Sequence, residues 1–315
     1  MKRFVHFLFF FFFVAAMPAQ AQKRIALTFD DIPRDQGAFL TQDERTVKLI
    51  AALERAGVKQ AAFFITAGFA NNPDRVGAED RITAYAAAGH VLANHSYTHP
   101  HLSQVSAEEY LANLDKTEAW LKGRAGRRPW FRHPYLDEGM NDHAKRDAVR
   151  AGLKARGLRN GYVTADGADW HIEMLTQEAA IAGKPMDMTA LRDFYVDTHV
   201  ETVRVNHALA RRLFDRDPIQ VLLLHETDIA ALFIDDLVEA LRKDGWEIVT
   251  ADKAFDDALK REMPSPPVAN GTILSQVAIA RGLDVPTWPG VASGDVQRRR
   301  FTEQVLKERV PPPTP

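Results

Sequence analysis

Arg24-Ile25-Ala26-Leu27-Thr28-Phe29-Asp30-Asp31 and Ile219-Gln220-Val221-Leu222-Leu223-Leu224-His225-Glu226 stand nearly 200 residues apart in this 315-residue chain. Each is a short apolar run that stops abruptly on titratable residues. The second is apolar enough to be buried on both faces, which is the pattern of a strand inside a parallel sheet. Further runs of this kind lie between and after them: Ala61–Ile65, His90–Asn94, Trp130–Phe131, Tyr162–Ala165 and Glu247–Thr250.

Amphipathic segments separate the runs. Helical spacing is predicted over Gln42–Ala56, where Val47, Ile50 and Leu53 share a face and Gly57 ends the helix. Glu79–Ala88 is closed by Gly89, and Ser106–Leu121 opens on a capping-box pattern. Asn141–Arg156, Ile229–Lys243 and Ala251–Arg261 complete the set. Seven strand-then-helix units imply an α/β protein with a parallel sheet covered by helices. Closing that sheet gives a seven-stranded (β/α) barrel, and an open doubly wound sheet fits almost as well. In both, ligands bind at the C-terminal ends of the strands. The segment from His171 to Pro218 is long for a connection and precedes the sixth strand. Leu191–Phe214 within it reads as helical, a lid or a flank.

The polar residues that stand out sit where strands end. Asp30-Asp31 closes the first, and His95-Ser96-Tyr97-Thr98-His99 follows the third. Arg132-His133-Pro134-Tyr135 follows the fourth, Asp166 to Trp170 the fifth, and His225-Glu226 the sixth. Taken singly each has an ordinary reading. The aspartate pair could cap a helix, Arg132 could make a surface ion pair, and His225 could be a satisfied core histidine. His95 and His99 are four apart, but Pro100 follows directly, so a tight loop turning both rings to one point fits better than a helix face. Taken together they form a set for metal-assisted hydrolysis. A carboxylate and two imidazoles with an open position are a common way to hold a catalytic zinc. The metal makes water nucleophilic near neutral pH. A second carboxylate can take a proton, and an opposing histidine can protonate a leaving amine.

Thr28-Phe29-Asp30-Asp31, His95-Ser96-Tyr97-Thr98-His99, Arg132-His133-Pro134-Tyr135, Asp166 to Trp170 and Leu223-Leu224-His225 resemble, in order, the five motifs of NodB-type polysaccharide deacetylases, carbohydrate esterase family 4. The resemblance covers roughly Arg24 to Arg261. It implies a distorted seven-stranded (β/α) barrel, here with a long insertion before strand six. By position it implies Asp30 as general base and Asp31, His95 and His99 as metal ligands. Arg132 would pair with Asp30 and keep it ionised. The Tyr135 backbone N–H would donate to the oxyanion. Asp169 would hold His225 and raise its pKa so that it acts as the acid, and Trp170 and Leu223 would line the acetyl pocket. The implied metal is a divalent ion, zinc first, with Co2+, Ni2+ or Mn2+ as substitutes. Two positions depart from the family: Ile32 and Leu136 stand where glycine is usual. Ile does not adopt positive φ cheaply, so a different loop and a narrower or more apolar groove are expected there. His101, His133, His143, His171, His199 and His207 fit no motif and read as surface or packing residues, with His133 the nearest to substrate.

The amino terminus has the basic, apolar and small-residue order of a secretory signal peptide: Lys2 and Arg3, an apolar run from Phe4 to Met17, then Pro18-Ala19-Gln20-Ala21. The reading is a signal peptide over 1–21, a catalytic domain over 22–263 and a Pro-rich tail, partly packed, over 264–315. Export to the periplasm or beyond follows, with no membrane span after cleavage. The 40 Lys and Arg nearly balance 42 Asp and Glu, so no electrostatic footprint for nucleic acid is present. Absence of cysteine excludes disulfides, thiolate nucleophiles and Cys-based metal sites. The expected activity is metal-dependent removal of N-acetyl groups from a GlcNAc-containing polysaccharide. Two alternatives are an O-acetyl esterase or small-amide hydrolase of the same superfamily, and a glycan-binding protein without catalysis.

Overall fold

The computed structural model describes residues 22–285 and 290–310. The expected signal peptide and the Pro311-Pro312-Pro313 run lie outside the described residues. Eight short strands form one parallel sheet: β1 (Lys23–Ile32), β2 (Ala62–Ile65), β3 (Val91–Asn94), β4 (Arg127–Phe131), β6 (Arg159–Asn160), β7 (Ala165–Asp166), β8 (Gln220–His225) and β9 (Trp246–Ile248). β5 (Asp137–Met140) lies apart from it. Along the sheet the order is β6-β4-β3-β2-β1-β8-β7, seven strands, with β9 paired to the start of β1. No pairing joins β6 to β7 among the described residues, so the barrel is curled but open at that seam.

Side chains alternate across the sheet, as a strand's period of two requires. Ile25, Leu27 and Phe29 of β1 join Phe63, Ile65, Leu222 and Leu224 in the main core. There they meet α1 (Gln42–Arg55) and α7 (Asp228–Lys243) through Leu49, Leu53, Ile234, Leu237 and Leu241. The other face is narrower. Ala26, Ala62 and Ala93 leave room for Phe64, Trp130, Tyr162 and Phe255 in a second cluster. α2 (Ala78–Ala87), α3 (Ala107–Leu121), α4 (His143–Ala155) and α8 (Ala251–Phe255) follow their strands. α3 begins on the expected capping box at Ser106, and α1 begins on another at Thr41 that sequence reading did not single out.

Several local expectations need correction. Val47 is 69% exposed, and α1 packs through Leu49, Ala52 and Leu53 instead. The strand expected over Tyr162–Ala165 is two stubs, β6 and β7, because residues 161–164 run across the open seam. The segment expected as one helix to Arg261 breaks after Phe255 into a 3-10 turn over Ala258–Arg261, capped by Asp257. The insertion before β8 holds two helices: α5 (Asp169–Ile181) and α6 (Met188–Leu213).

Beyond Met263 the chain returns to the barrel. β10 (Ala269–Asn270) pairs antiparallel with β5, and α9 (Ile273–Ala280) buries Ile273, Leu274 and Val277 in the second cluster. The Ile273 amide donates to the Val163 carbonyl at 2.9 Å, so this segment lies along the seam. α10 (Gly294–Arg300) follows, and Phe301 and Val305 after it reach the main core.

Candidate active site

β1 ends in the aspartate pair. Asp30 is buried and faces Arg132, whose Nη1 donates to Asp30 Oδ1 at 2.7 Å and to Thr28 Oγ1 at 2.7 Å. Arg132 is wholly buried, with Nε on the Gly161 carbonyl and its guanidinium 3.9 Å from the Phe64 ring centre. A buried charge needs such partners, because desolvation is otherwise costly. Asp31 turns the other way through a left-handed backbone, φ 65°. Its Oδ1 lies 3.0 Å from His99 Nε2 and 3.4 Å from His95 Nε2. Burial pushes Asp31 upward, but the imidazoles of His99, His95 and His225 around it outweigh this and hold the carboxyl well below its usual range.

His95 and His99 lie in a loop, as expected, with Ser96 and His99 both at positive φ. His95 Nδ1 meets the Arg132 carbonyl at 2.9 Å. A carbonyl only accepts, so Nδ1 carries the proton and Nε2 presents a lone pair. The two Nε2 atoms are 3.1 Å apart. Ligand atoms of Asp31, His95 and His99 all lie within 4.8 Å of one another. Asp31 Oδ1 is buried and has no well-directed hydrogen bond among the described residues. Two imidazole Nε2 atoms, that of His95 with its lone pair free, and an orphaned carboxylate oxygen around one point are the donor set of a divalent cation such as zinc. The residues fit a metal.

His225 closes β8. Its Nδ1 meets Asp169 Oδ1 at 2.6 Å, and its backbone amide donates to Asp169 Oδ2 at 2.8 Å. Burial works against charging this imidazole, but the Asp169 carboxylate prevails and raises it to about 9. Asp169, also buried, is held low by the same partner. His225 Nε2 lies 3.9 Å from Asp31 Oδ2.

A cleft of about 580 Å3 gathers these groups. Asp30, Asp31, His95, His99, Tyr135, Trp170, Leu223 and His225 line it, while Arg132 and Asp169 stand behind Asp30 and His225. Trp170 and Tyr135 are exposed at 43% and 50%, and Tyr135 stacks on His101 with ring centres 3.5 Å apart. Of the two positions without the usual glycine, Ile32 does not need positive φ. It lies buried in the main core, beside Ile65, and Asp31 takes the turn instead. Leu136 does adopt φ 52° and is nearly buried. Arg34 and Asp35 also line the groove beside the aspartate pair. Arg34 Nη1 donates to Asp31 Oδ2 at 2.7 Å.

Sequence reading missed Arg34 and Glu173. Glu173 lines the cleft from α5, accepts from the Asp228 and Ile229 amides at 3.2 Å each, and is raised to about 7 by burial and by Asp228. Its spacing of four from Asp169 was the available signal, hidden because no helix was expected there. Asp166, inside the fifth cluster, is raised to about 6 by burial. His133 is buried, lines the cleft and contacts the Tyr110 hydroxyl.

Residues 18–156 match the family model described as polysaccharide deacetylase. Over that span, less than half of its length, the chain is similar to the polysaccharide deacetylase family. A curated relative from Bacillus cereus, peptidoglycan-N-acetylglucosamine deacetylase, is 34% identical over 121 residues, 38% of this chain and 39% of that protein. A bifunctional xylanase/deacetylase from Pseudobutyrivibrio xylanivorans is 31% identical over 118 residues, 37% of this chain and 17% of that one. The chain thus spans less than half the length of these relatives. Among solved structures, a peptidoglycan N-acetylglucosamine deacetylase superposes with TM-score 0.50 at 23% identity, covering 74% of this chain and 88% of that one. A CE4 family pseudoenzyme from Bacillus anthracis superposes with TM-score 0.50 at 18% identity, covering 75% and 66%. These likenesses are of fold. They place the chain in the distorted (β/α) barrel class.

Proposed function

We propose that this protein is a metal-dependent deacetylase that hydrolyses the N-acetyl group of N-acetylglucosamine residues in a polysaccharide, releasing acetate. The observation that carries the reading is the meeting, in one cleft, of the Asp31–His95–His99 donor set, the Arg132-held Asp30 carboxylate and the Asp169-held His225 imidazole. The Bacillus cereus relative's name supports the choice of N-acetylglucosamine as the sugar. The basic, apolar and small-residue order of residues 1–21 supports export.

Asp31, His95 and His99 would hold a divalent metal such as zinc, which when bound would supply Lewis acidity to the acetyl carbonyl and to water. Asp30 takes the proton of the attacking water, and Arg132 fixes which oxygen faces it. The Tyr135 backbone N–H donates to the oxygen that gains charge as the carbon becomes tetrahedral. His225, charged below about pH 9, gives its proton to the leaving nitrogen as the carbon–nitrogen bond breaks. Trp170 and Leu223 pack around the acetyl methyl.

The test is acetate release from N-acetylglucosamine oligomers and from peptidoglycan, after chelation and again after zinc is restored. Release that stops with the chelator and returns with zinc is expected. Cleavage of O-acetyl esters with all N-acetyl glycans left intact would replace the amide reading by the ester one. Absence of any bound metal would remove the site.

A further inference from the structure

Asp169 has both carboxylate oxygens committed to His225, one to its ring and one to its backbone amide. It therefore cannot cap the helix it begins. α5 starts from Ala168, a non-glycine residue at φ 52° with no side-chain cap. The turn before it is also crowded, since a Cβ on Gly167 would meet the His199 ring at 2.7 Å. A loop that holds the partner of an acid–base residue must be fixed by something else.

That fixture comes from the far end of the chain, outside the family match. Gln297 of α10 is wholly buried. Its Nε2 donates to the Gly167 carbonyl at 2.8 Å, and its Oε1 meets His171 Nδ1 at 2.8 Å. The Gly167 carbonyl can only accept, so the amide has one orientation and His171 must present Nδ1–H to it. Gly167 and His171 stand two residues either side of Asp169. One side chain thus spans the turn whose centre carries the catalytic carboxylate.

We propose that Gln297 is a positioning residue for the Asp169–His225 pair, acting through Gly167 and His171; its effect on turnover rests on the deacetylase reading above. Its side chain touches neither Asp169 nor the cleft. It sets the angle at which Asp169 meets the imidazole, and small displacements of catalytic groups are expensive in rate.

The experiment uses the full chain and two readouts. In proton NMR, the Nδ1–H of His225 bonded to Asp169 at 2.6 Å should give an exchangeable signal far downfield. Its loss in Asp169→Asn assigns it. Gln297→Met keeps the shape of the side chain and removes both bonds. We expect the signal to move upfield or vanish, kcat to fall about 10- to 100-fold, and KM to stay within about twofold. Should Gln297→Met fail to fold, Gln297→Glu, which keeps the acceptor for His171 and loses the donor to Gly167, should show a smaller shift. A folded variant with the wild-type signal and kcat overturns the proposal, as does a wild-type protein without the signal. The NMR readout needs no substrate, so it decides the proposal even if no acetylated glycan is cleaved.

Discussion

Two neighbouring aspartates at the end of β1 do different things because the backbone turns between them. Asp30 continues the strand and meets Arg132, whereas Asp31, at positive φ, swings toward His95 and His99. Their substitutions should separate accordingly. Asp30→Asn should lower acetate release by about 10²–10⁴-fold, the usual range for a general base, and leave zinc uptake in calorimetry unchanged. Asp31→Asn should weaken zinc uptake itself. Loss of metal in the Asp30 variant would contradict the division of labour drawn from the geometry. The aspartates, histidines and Arg132 were legible in the sequence because each ends an apolar run. Arg34 was not. It follows Pro33 in a stretch without periodicity, and its role depends on which way the loop folds back onto Asp31.

At the scale of elements, the strands were easier to read than the connections. Burial on both faces gives β1 and β8 an unbroken apolar pattern, and capping gives α3 a local start signal. β6 and β7 defeated the same reading because each is two residues long and the chain between them makes only isolated backbone bonds to strands, Gly161 to Phe131 of β4 and Thr164 to Val221 of β8. α5 was missed because its buried face carries Asp169, His171, Glu173 and Thr176, polar residues that burial satisfies by hydrogen bonds instead of apolar contact. That helix has a measurable electrostatic cost. Glu173 is raised from 4.5 to about 7, so the folded protein binds more protons than the unfolded chain between those values. Stability should therefore fall as pH rises from about 4.5 to 7, by about 1–3 kcal/mol from this group. Denaturant titrations across that range should show the decline in wild type and a flatter profile in Glu173→Gln. An equally steep profile in the variant would assign the decline to other groups.

At the scale of the whole molecule, the segment after Met263 completes the barrel. Ile273, Leu274 and Val277 fill the second cluster, and the Ile273 and Gly271 amides bond Val163 and Leu136 on either side of the seam. A chain ending at Met263 would leave that apolar surface in water, each large side chain worth roughly 1.5–3 kcal/mol. We expect it to lose cooperative thermal unfolding and to bind a hydrophobic dye, both measurable on the purified fragment. A fragment that melts as sharply as the full chain would show the barrel to be self-sufficient without its last turn.

The open seam also governs timing. A polypeptide that emerges amino end first, from a ribosome or through a pore, has all eight strands of the parallel sheet available before residue 249. The residues that seal the gap between β6 and β7 come after residue 268, and those that reach back to the main core arrive only at Phe301 and Val305. Until then the nascent barrel is unsealed, and the Gln297 amide that spans the Asp169 turn has yet to appear. The proposed positioning of Asp169 by Gln297 is therefore established only after every strand that carries the cleft has been made.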